Sequence, residues 1–295
     1  MHTWVTYADN DDYWLGALVV AHSLLTVHSK YPLIVFVPYS YKPNPIPSSI
    51  GNIIVRQCAP IQHLGKRTTR PEYRSCLNKL YAWSLEVFDK VGWLDCDMLI
   101  IKNIDDVFDF DLDYDEMLAA PGCTCNVFKN SKLPTEPHNC PLGGSGSYVN
   151  TGVFVIRPSS QTYAKLVDYD YDHPLPDQDA FNEYFKNRIH LLDPSYNYMV
   201  HLCLAHPELD SENAKVVHFT YDKPWKIEQE KNMPLCQSWR VLWNEYAITI
   251  TKSYEPSSLS LGNGSFSRLL SVIEQKLKCQ NKRVILNNLS PSSAF

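Results

Sequence analysis

"VGWLDCDMLIIKNIDDVFD", Val91 to Asp109, places two carboxylates, Asp95 and Asp97, between two apolar runs. Burying like charges one residue apart costs desolvation and repulsion unless a positive group lies between them. On extended backbone, side chains at i and i+2 point to the same side, so Asp95 and Asp97 can share one cation. Hard oxygen ligands suit Mn2+, with Mg2+ as the alternative, and such ions in turn bind diphosphate oxygens. A solvated turn at a strand end is the plain competing reading, but a surface turn has no need of "VGWL" and "MLII" on its flanks. A phosphatase-type D-x-D needs Thr or Val two residues after its second Asp and usually opens the chain. Here "ML" follows Asp97, a third of the way along.

Outward from this stretch, short β-rich segments alternate with helical ones. "HTWVTYA" (His2 to Ala8) predicts a strand ending in "DNDD", followed by a helix with Gly16, Ala17, Val20, Leu24 and Leu25 on one face. "PLIVFVP" (Pro32 to Pro38) predicts a central parallel strand and "NIIVRQC" the next. "SCLNKLYAWSLEVFD" (Ser75 to Asp89) predicts a helix burying Leu77, Leu80, Tyr81, Val87 and Phe88. "VGWLDCD", "MLAAP" and "YVNTGVFVIRP" complete the expected strands. The alternation implies an α/β fold with a mostly parallel central sheet flanked by helices, binding its ligand beyond the carboxyl ends of the strands. The polar groups of "VTYADND", "WLDCD" and "YVNTG" gather at those ends.

"KVVHFTYDKPW" (Lys215 to Trp225) adds a strand carrying His218, a ligand type that Mn2+ accepts beside carboxylates, and Lys223, a point charge for phosphate. Taken alone, His218 reads as a satisfied core histidine. "RPEYRSCLNK", with Arg70 and Lys79, reads as a solvated helix face or a source of basic groups. "PLPDQDAFN", with Asp177, Gln178 and Asp179, reads as an acidic helix N-terminus. Cys123, Cys125 and Cys140 stand with His138 in the long loop Gly122 to Ser147, expected to be a lid or binding element. C-x-C and an isolated third cysteine do not match the usual C-x2-C pairs, so zinc is not expected there. "GGSG" (Gly143 to Gly146) lacks the Lys-Ser/Thr ending of a P-loop and reads as a hinge.

Composition narrows the partners. The 295 residues are 44% hydrophobic and carry a net charge of −5 without a basic face, which argues against nucleic acid. "LGALVVAHSLL" is too short to span a membrane and is broken by His22. Nine cysteines without a basic leader point to a reducing, cytoplasmic setting. We expect one domain over residues 1–250, with residues 251–295 as a C-terminal helix, striped by Phe266, Leu269, Leu270, Ile273 and Leu277, and a polar tail. A homodimer is compatible with this organisation.

The ordered motifs "VTYADNDDYWLGALV", "LNKLYAWSL", "LDCDMLIIKNIDDVFD", "YVNTGVFVIRPSSQTY", "PDQDAFNEYF" and "KVVHF…KPW" resemble the retaining glycosyltransferases of family 8, the glycogenin and galactinol synthase group, over roughly residues 3 to 247. The resemblance implies a GT-A-type nucleotide-diphosphosugar transferase fold and a UDP-galactose or UDP-glucose donor. The acceptor would be a hydroxyl on a polyol, a sugar or a protein. By position, Tyr7, Asp9, Asn10 and Tyr13 would surround the uridine, and Asp95, Asp97 and His218 would hold Mn2+ with Cys96 beside them. Arg70, Lys79 and Lys223 would neutralise the diphosphate. Asn150, Thr151, Gly152, Asp177 and Gln178 would meet the sugar, with Asp177, Gln178 and Lys79 as the catalytic set. Where a glycogenin carries its acceptor tyrosine, this chain has Leu204. The cysteine-bearing loop and "AHPEL" instead resemble galactinol synthases, which makes myo-inositol the first candidate acceptor. The short His218–Lys223 segment lacks the family's glycine near the diphosphate and keeps open a catalytically silent UDP-sugar-binding protein.

Overall fold

The structure is a computed structural model, and it describes residues 1–47, 49–50, 52–61, 71–125, 140–143, 148–220, 223–226 and 237–253. Among the described residues ten strands form two sheets. Seven of them, β1 (His2–Tyr7), β2 (Leu33–Pro38), β3 (Ile53–Cys58), β4 (Lys90–Leu94), β6 (Met117–Pro121), β7 (Val149–Ile156) and β8 (Ile189–Leu191), make the large sheet. Its order is β3-β2-β1-β4-β7-β6-β8. The three others, β5 (Met98–Ile100), β9 (Tyr198–Met199) and β10 (Val216–His218), make a small sheet in the order β5-β10-β9. The large sheet is parallel from β3 through β4 and again between β6 and β8, while β7 runs antiparallel to both of its neighbours.

The strands alternate with period two between a core on each face of the sheet. Trp4, Leu33, Val35, Leu94, Val153 and Val155 face one core, which includes helix α1 (Asp11–Thr26). Val5, Ile34, Phe36, Trp93, Phe154 and Ile156 face the other. There Trp83 lies against Phe154, Phe181 and Phe185, with ring centroids 5.3–5.8 Å apart. Helices α2 (Ser160–Val167) and α3 (Pro176–Tyr184) supply part of that second core through Leu166, Ala180 and Phe181. The short α4 (Leu202–Ala205) follows β9, and the final described helix, α5 (Gln237–Lys252), packs Trp243, Ala247 and Ile250 into the first core. Helix α5 runs across position 250, the expected end of the domain, and the expected helix over 266–277 lies outside the described residues. Among the described residues no helix is long and apolar enough to cross a membrane.

Three elements depart from expectation, the first being the strand expected over "VGWLDCD", which stops at Leu94 and leaves Cys96 and Asp97 in a turn. The segment expected as a helix from Ser75 to Asp89 is a 3-10 helix spanning Pro71–Ser84, after which the chain turns towards β4. Leu77 and Leu80 are buried as expected, but Val87 lies in that turn and is 74% exposed. Helix α1 has no single apolar stripe: Trp14 through Ala21 are all buried, and Leu25 is exposed.

The acidic pair sits where the two sheets meet. The chain leaves the large sheet at Leu94 and enters the small one at Met98, so Asp95, Cys96 and Asp97 form the crossing between two apolar strands. Antiparallel pairing sets His218 opposite Met98, and the Phe219 N–H donates to the Asp97 carbonyl at 2.9 Å. The imidazole is thereby registered beside the carboxylates.

Candidate active site

Asp95, Asp97 and His218 present ligand atoms that all lie within 4.8 Å of one another. His218 Nε2 stands 3.5 Å from Asp97 Oδ1 and 3.9 Å from Asp95 Oδ2. The protonation of the ring follows from a chain of hydrogen bonds. The Gly152 N–H can only donate, and it does so to Asn150 Oδ1 at 3.0 Å. That oxygen also accepts from Asn197 Nδ2 at 2.8 Å, which turns Asn197 Oδ1 towards His218 Nδ1 at 2.9 Å. An oxygen acceptor there requires Nδ1 to carry a proton. In the neutral ring Nε2 then holds the lone pair, aimed at two carboxylates. A lone pair and two anions converging on one point is repulsive without a cation, and an amide oxygen on Nδ1 is one way a ligating histidine is oriented. The residues therefore fit a divalent ion of the Mn2+ or Mg2+ class.

Two lysines border the trio. Lys79 Nζ sits 2.7 Å from Asp177 Oδ2 and 3.2 Å from Asp95 Oδ1, and also donates to the Thr151 carbonyl at 3.1 Å. Lys223 Nζ forms an ion pair with Asp97 Oδ2. Burial alone would strip the charge from each ammonium, but Asp177 and Asp95 hold Lys79 well above its ordinary value, and Asp97 does the same for Lys223. Burial likewise pushes the Asp97 carboxyl up, and the opposing Lys223 leads the groups that outweigh it, leaving Asp97 below the usual carboxylate range. Burial raises the Asp95 carboxyl against the pull of Lys79, and neighbouring Asp97 adds to the rise. Three carboxylates thus face two ammonium groups, one negative charge in surplus. A bound divalent ion would turn that surplus positive, which suits an anionic ligand.

The remaining expected residues fall around this centre. Thr151 donates to Asp177 Oδ2 at 2.9 Å, and Asn150 Nδ2 donates to Gln178 Oε1 at 2.7 Å. Gly152 has to be glycine: a Cβ there would stand 2.4 Å from His218 Cε1. Asn10 caps α1 by accepting from the Tyr13 N–H at 3.1 Å and holds Asp9 through its amide at 2.8 Å. Tyr13 packs edge-on against Trp225, centroids 5.1 Å apart, and burial pushes its phenol up to about 12. Tyr7 is almost wholly buried in the second core. The Cys96 side chain turns the opposite way from its neighbours, donating to the Tyr7 carbonyl at 3.0 Å, so any ligand contact there would fall to its backbone. Arg70 lies outside the described residues.

Sequence reasoning misses three members of the site. Asn197 fixes the His218 ring, Trp93 Nε1 donates to Asp95 Oδ1 at 2.7 Å, and the Tyr148 hydroxyl accepts from Gln178 Nε2 at 2.9 Å. The available signal for Asn197 is its residue type: an amide 21 residues before a candidate histidine ligand is the kind of group that orients one.

The family model described as "Glycosyl transferase family 8" matches residues 4–229. Galactinol synthase 1 of Solanum lycopersicum is 29% identical over 265 residues, 83% of this chain and 82% of that protein. Galactinol synthase 6 of Arabidopsis thaliana is 27% identical over 320 residues, 99% and 92% of the two chains. Among solved structures, the galactosyltransferase LgtC, in complex with donor and acceptor sugar analogues, superposes with a TM-score of 0.55 at 19% identity, covering 92% of this chain and all of LgtC. The apo bifunctional glycosyltransferase WbbM gives 0.58 at 16% identity, covering 85% of this chain and 51% of WbbM. These two likenesses carry the fold, which is of the GT-A type. With the acidic crossing, the histidine facing it and a sequence match over most of its length, this chain belongs to glycosyl transferase family 8 and is a hexosyltransferase enzyme.

Proposed function

We propose that the enzyme transfers galactose from UDP-galactose to a small polyol, myo-inositol first among candidates, with retention of anomeric configuration and with Mn2+ as its ion. The observation that carries this reading is the convergence of Asp95, Asp97 and His218 between two lysines at the crossing of the sheets. The galactinol synthase relatives favour galactose and inositol over other pairs. The ion, bound by Asp95, Asp97 and His218, would supply electrostatic stabilisation of the departing diphosphate.

The other roles belong to the chain itself. Lys223, 25% exposed, is the cation with freedom to leave Asp97 and meet a phosphate once an ion takes its place on the carboxylate. Lys79, 8% exposed, is held by Asp95, Asp177 and Thr151 and keeps a fixed positive charge at the centre. Burial pushes the Asp177 carboxyl up, but Lys79 and the Thr151 hydroxyl hold it below its ordinary range. Asp177 Oδ2 already accepts from both, which suits a positioning role. Gln178, partly exposed and fixed by Asn150 and Tyr148, is the better placed of the two to face the sugar. Self-glycosylation at the glycogenin position has no nucleophile, because exposed Leu204 stands there.

The test is incubation with UDP-[14C]galactose or UDP-[14C]glucose and Mn2+, with and without myo-inositol. Label in a small neutral product that depends on inositol and prefers galactose is the expected result. Label on the protein itself, or donor binding without turnover on any polyol, overturns it.

A further inference from the structure

A second cluster of ligating side chains lies outside this centre. Cys123, Cys125, Cys140 and His206 bring one ligand atom each within 4.8 Å of one another. Cys125, Cys140 and His206 are buried, and Cys123 is half-buried. Cys140 Sγ stands 3.9 Å from Cys123 Sγ and 3.3 Å from His206 Nε2, and Cys125 Sγ is 3.5 Å from the same nitrogen. A tetrahedral zinc ion with sulfur at about 2.3 Å and nitrogen at about 2.1 Å needs edges of about 3.8 Å between sulfurs and about 3.6 Å between sulfur and nitrogen. These three spacings lie within about 0.3 Å of those edges. The other ring nitrogen, His206 Nδ1, meets Glu208 Oε1 at 3.0 Å, the carboxylate partner that orients a zinc-ligating imidazole. Buried thiols that merely fill space pack as small hydrophobes and have no need of an imidazole nitrogen among them.

We infer that Cys123, Cys125, Cys140 and His206 form a closed, structural zinc site. This departs from the sequence reading, which did not expect zinc here and set His138 beside the three cysteines. His138 lies outside the described residues, and His206 takes the place considered for it. Four protein ligands leave no position for substrate, so this ion does no chemistry. Its position gives it a mechanical task. Cys123 and Cys125 follow β6, Cys140 precedes the return of the chain to Tyr148, and the Gly122 N–H donates to the Tyr148 carbonyl at 2.9 Å. The ion would pin both feet of the long loop to His206, the residue that ends α4. Three soft thiolates and an imidazole select zinc, whereas Asp95, Asp97 and His218 select a harder ion.

The full-length chain is produced with added zinc, dialysed against EDTA to remove loosely held ions, and assayed by plasma mass spectrometry and zinc-edge X-ray absorption. The expected result is about one zinc per chain, with three sulfur neighbours and one nitrogen. Asp97→Ala should retain it, while Cys140→Ser and His206→Ala should lose most of it. Zinc-free protein, an absorption spectrum without sulfur neighbours, or a Cys123–Cys140 disulfide found by intact mass overturns the inference. The wild-type count and spectrum decide the matter even where a variant fails to fold. Neither depends on sugar transfer, so a failed acceptor assay leaves this result standing.

Discussion

The two ligand clusters of this chain differ in every property that separates a working ion from a structural one. Asp95 and Asp97 are hard oxygen ligands, joined by the His218 imidazole and flanked by lysines whose charges are set by the same carboxylates. Cys123, Cys125 and Cys140 are soft ligands, and with His206, itself paired to Glu208, they are complete in number. The first would turn net positive, and so suit an anion, once an ion is bound, and the second has nothing left to offer. Ligand count and the company of mobile charge therefore tell the two apart before any activity is measured.

The comparison breaks most severely at Asp97. Asp97→Ala should lower transfer by at least about 10³-fold, several kcal/mol of electrostatic stabilisation, and abolish metal-dependent UDP binding by calorimetry. Unchanged metal dependence in that variant would mean the ion sits elsewhere. Next is Lys79→Met, which leaves Asp95 and Asp177 facing each other without their shared cation. Denaturant unfolding should show a loss of about 3–5 kcal/mol, and a loss under about 1 would mean that solvent reaches the pair. Asn197→Ala releases the His218 ring and should weaken Mn2+ binding about 10–100-fold with little change in melting temperature, read by titration of the metal. The smallest effect concerns pH. Burial, with His218 and His206 adding to it, pushes the His201 imidazole down to about 3. Between its ordinary value and about 3 the unfolded chain binds the proton and the folded one does not. Stability contributed by keeping His201 neutral is thus full above about pH 6.5 and declines as the pH falls towards 3, at no more than about 1.4 kcal/mol per pH unit. His201→Gln should flatten the slope of unfolding free energy against pH over that window, and an unaltered slope would place the acid sensitivity in other groups.

What the sequence reveals follows from how local each signal is. Asp95 and Asp97 can be paired by eye because they stand two residues apart, although the chain joins them through a turn and not the extended backbone expected. His218 can be added because a β-rich run delivers it and its residue type matches the ion. The alternating strands likewise give away the mostly parallel sheet, since "PLIVFVP" is apolar throughout only where both faces are covered. The 3-10 segment is hidden because apolar spacing over Ser75–Asp89 does not register where the chain stops winding. The thiol cluster is hidden for a different reason. His206 lies 66 residues beyond Cys140, and a nearer histidine in the same loop competes for its place. Spacing rules for zinc reward neighbours in sequence and say little of neighbours made by folding. Cys96 reads as a ligand contact from its place between two aspartates, yet its thiol is buried and donates to the Tyr7 carbonyl.

The Asp95–Cys96–Asp97 crossing has one more consequence. Its carboxylates hang on the passage between the sheets, whereas the imidazole belongs wholly to the smaller one. An ion gripped by all three would act as a rivet through that seam, and a slight tilt of one sheet against the other would change its coordination at once. Readiness for catalysis and alignment of the two sheets would then be a single degree of freedom, one that donor binding could set from outside.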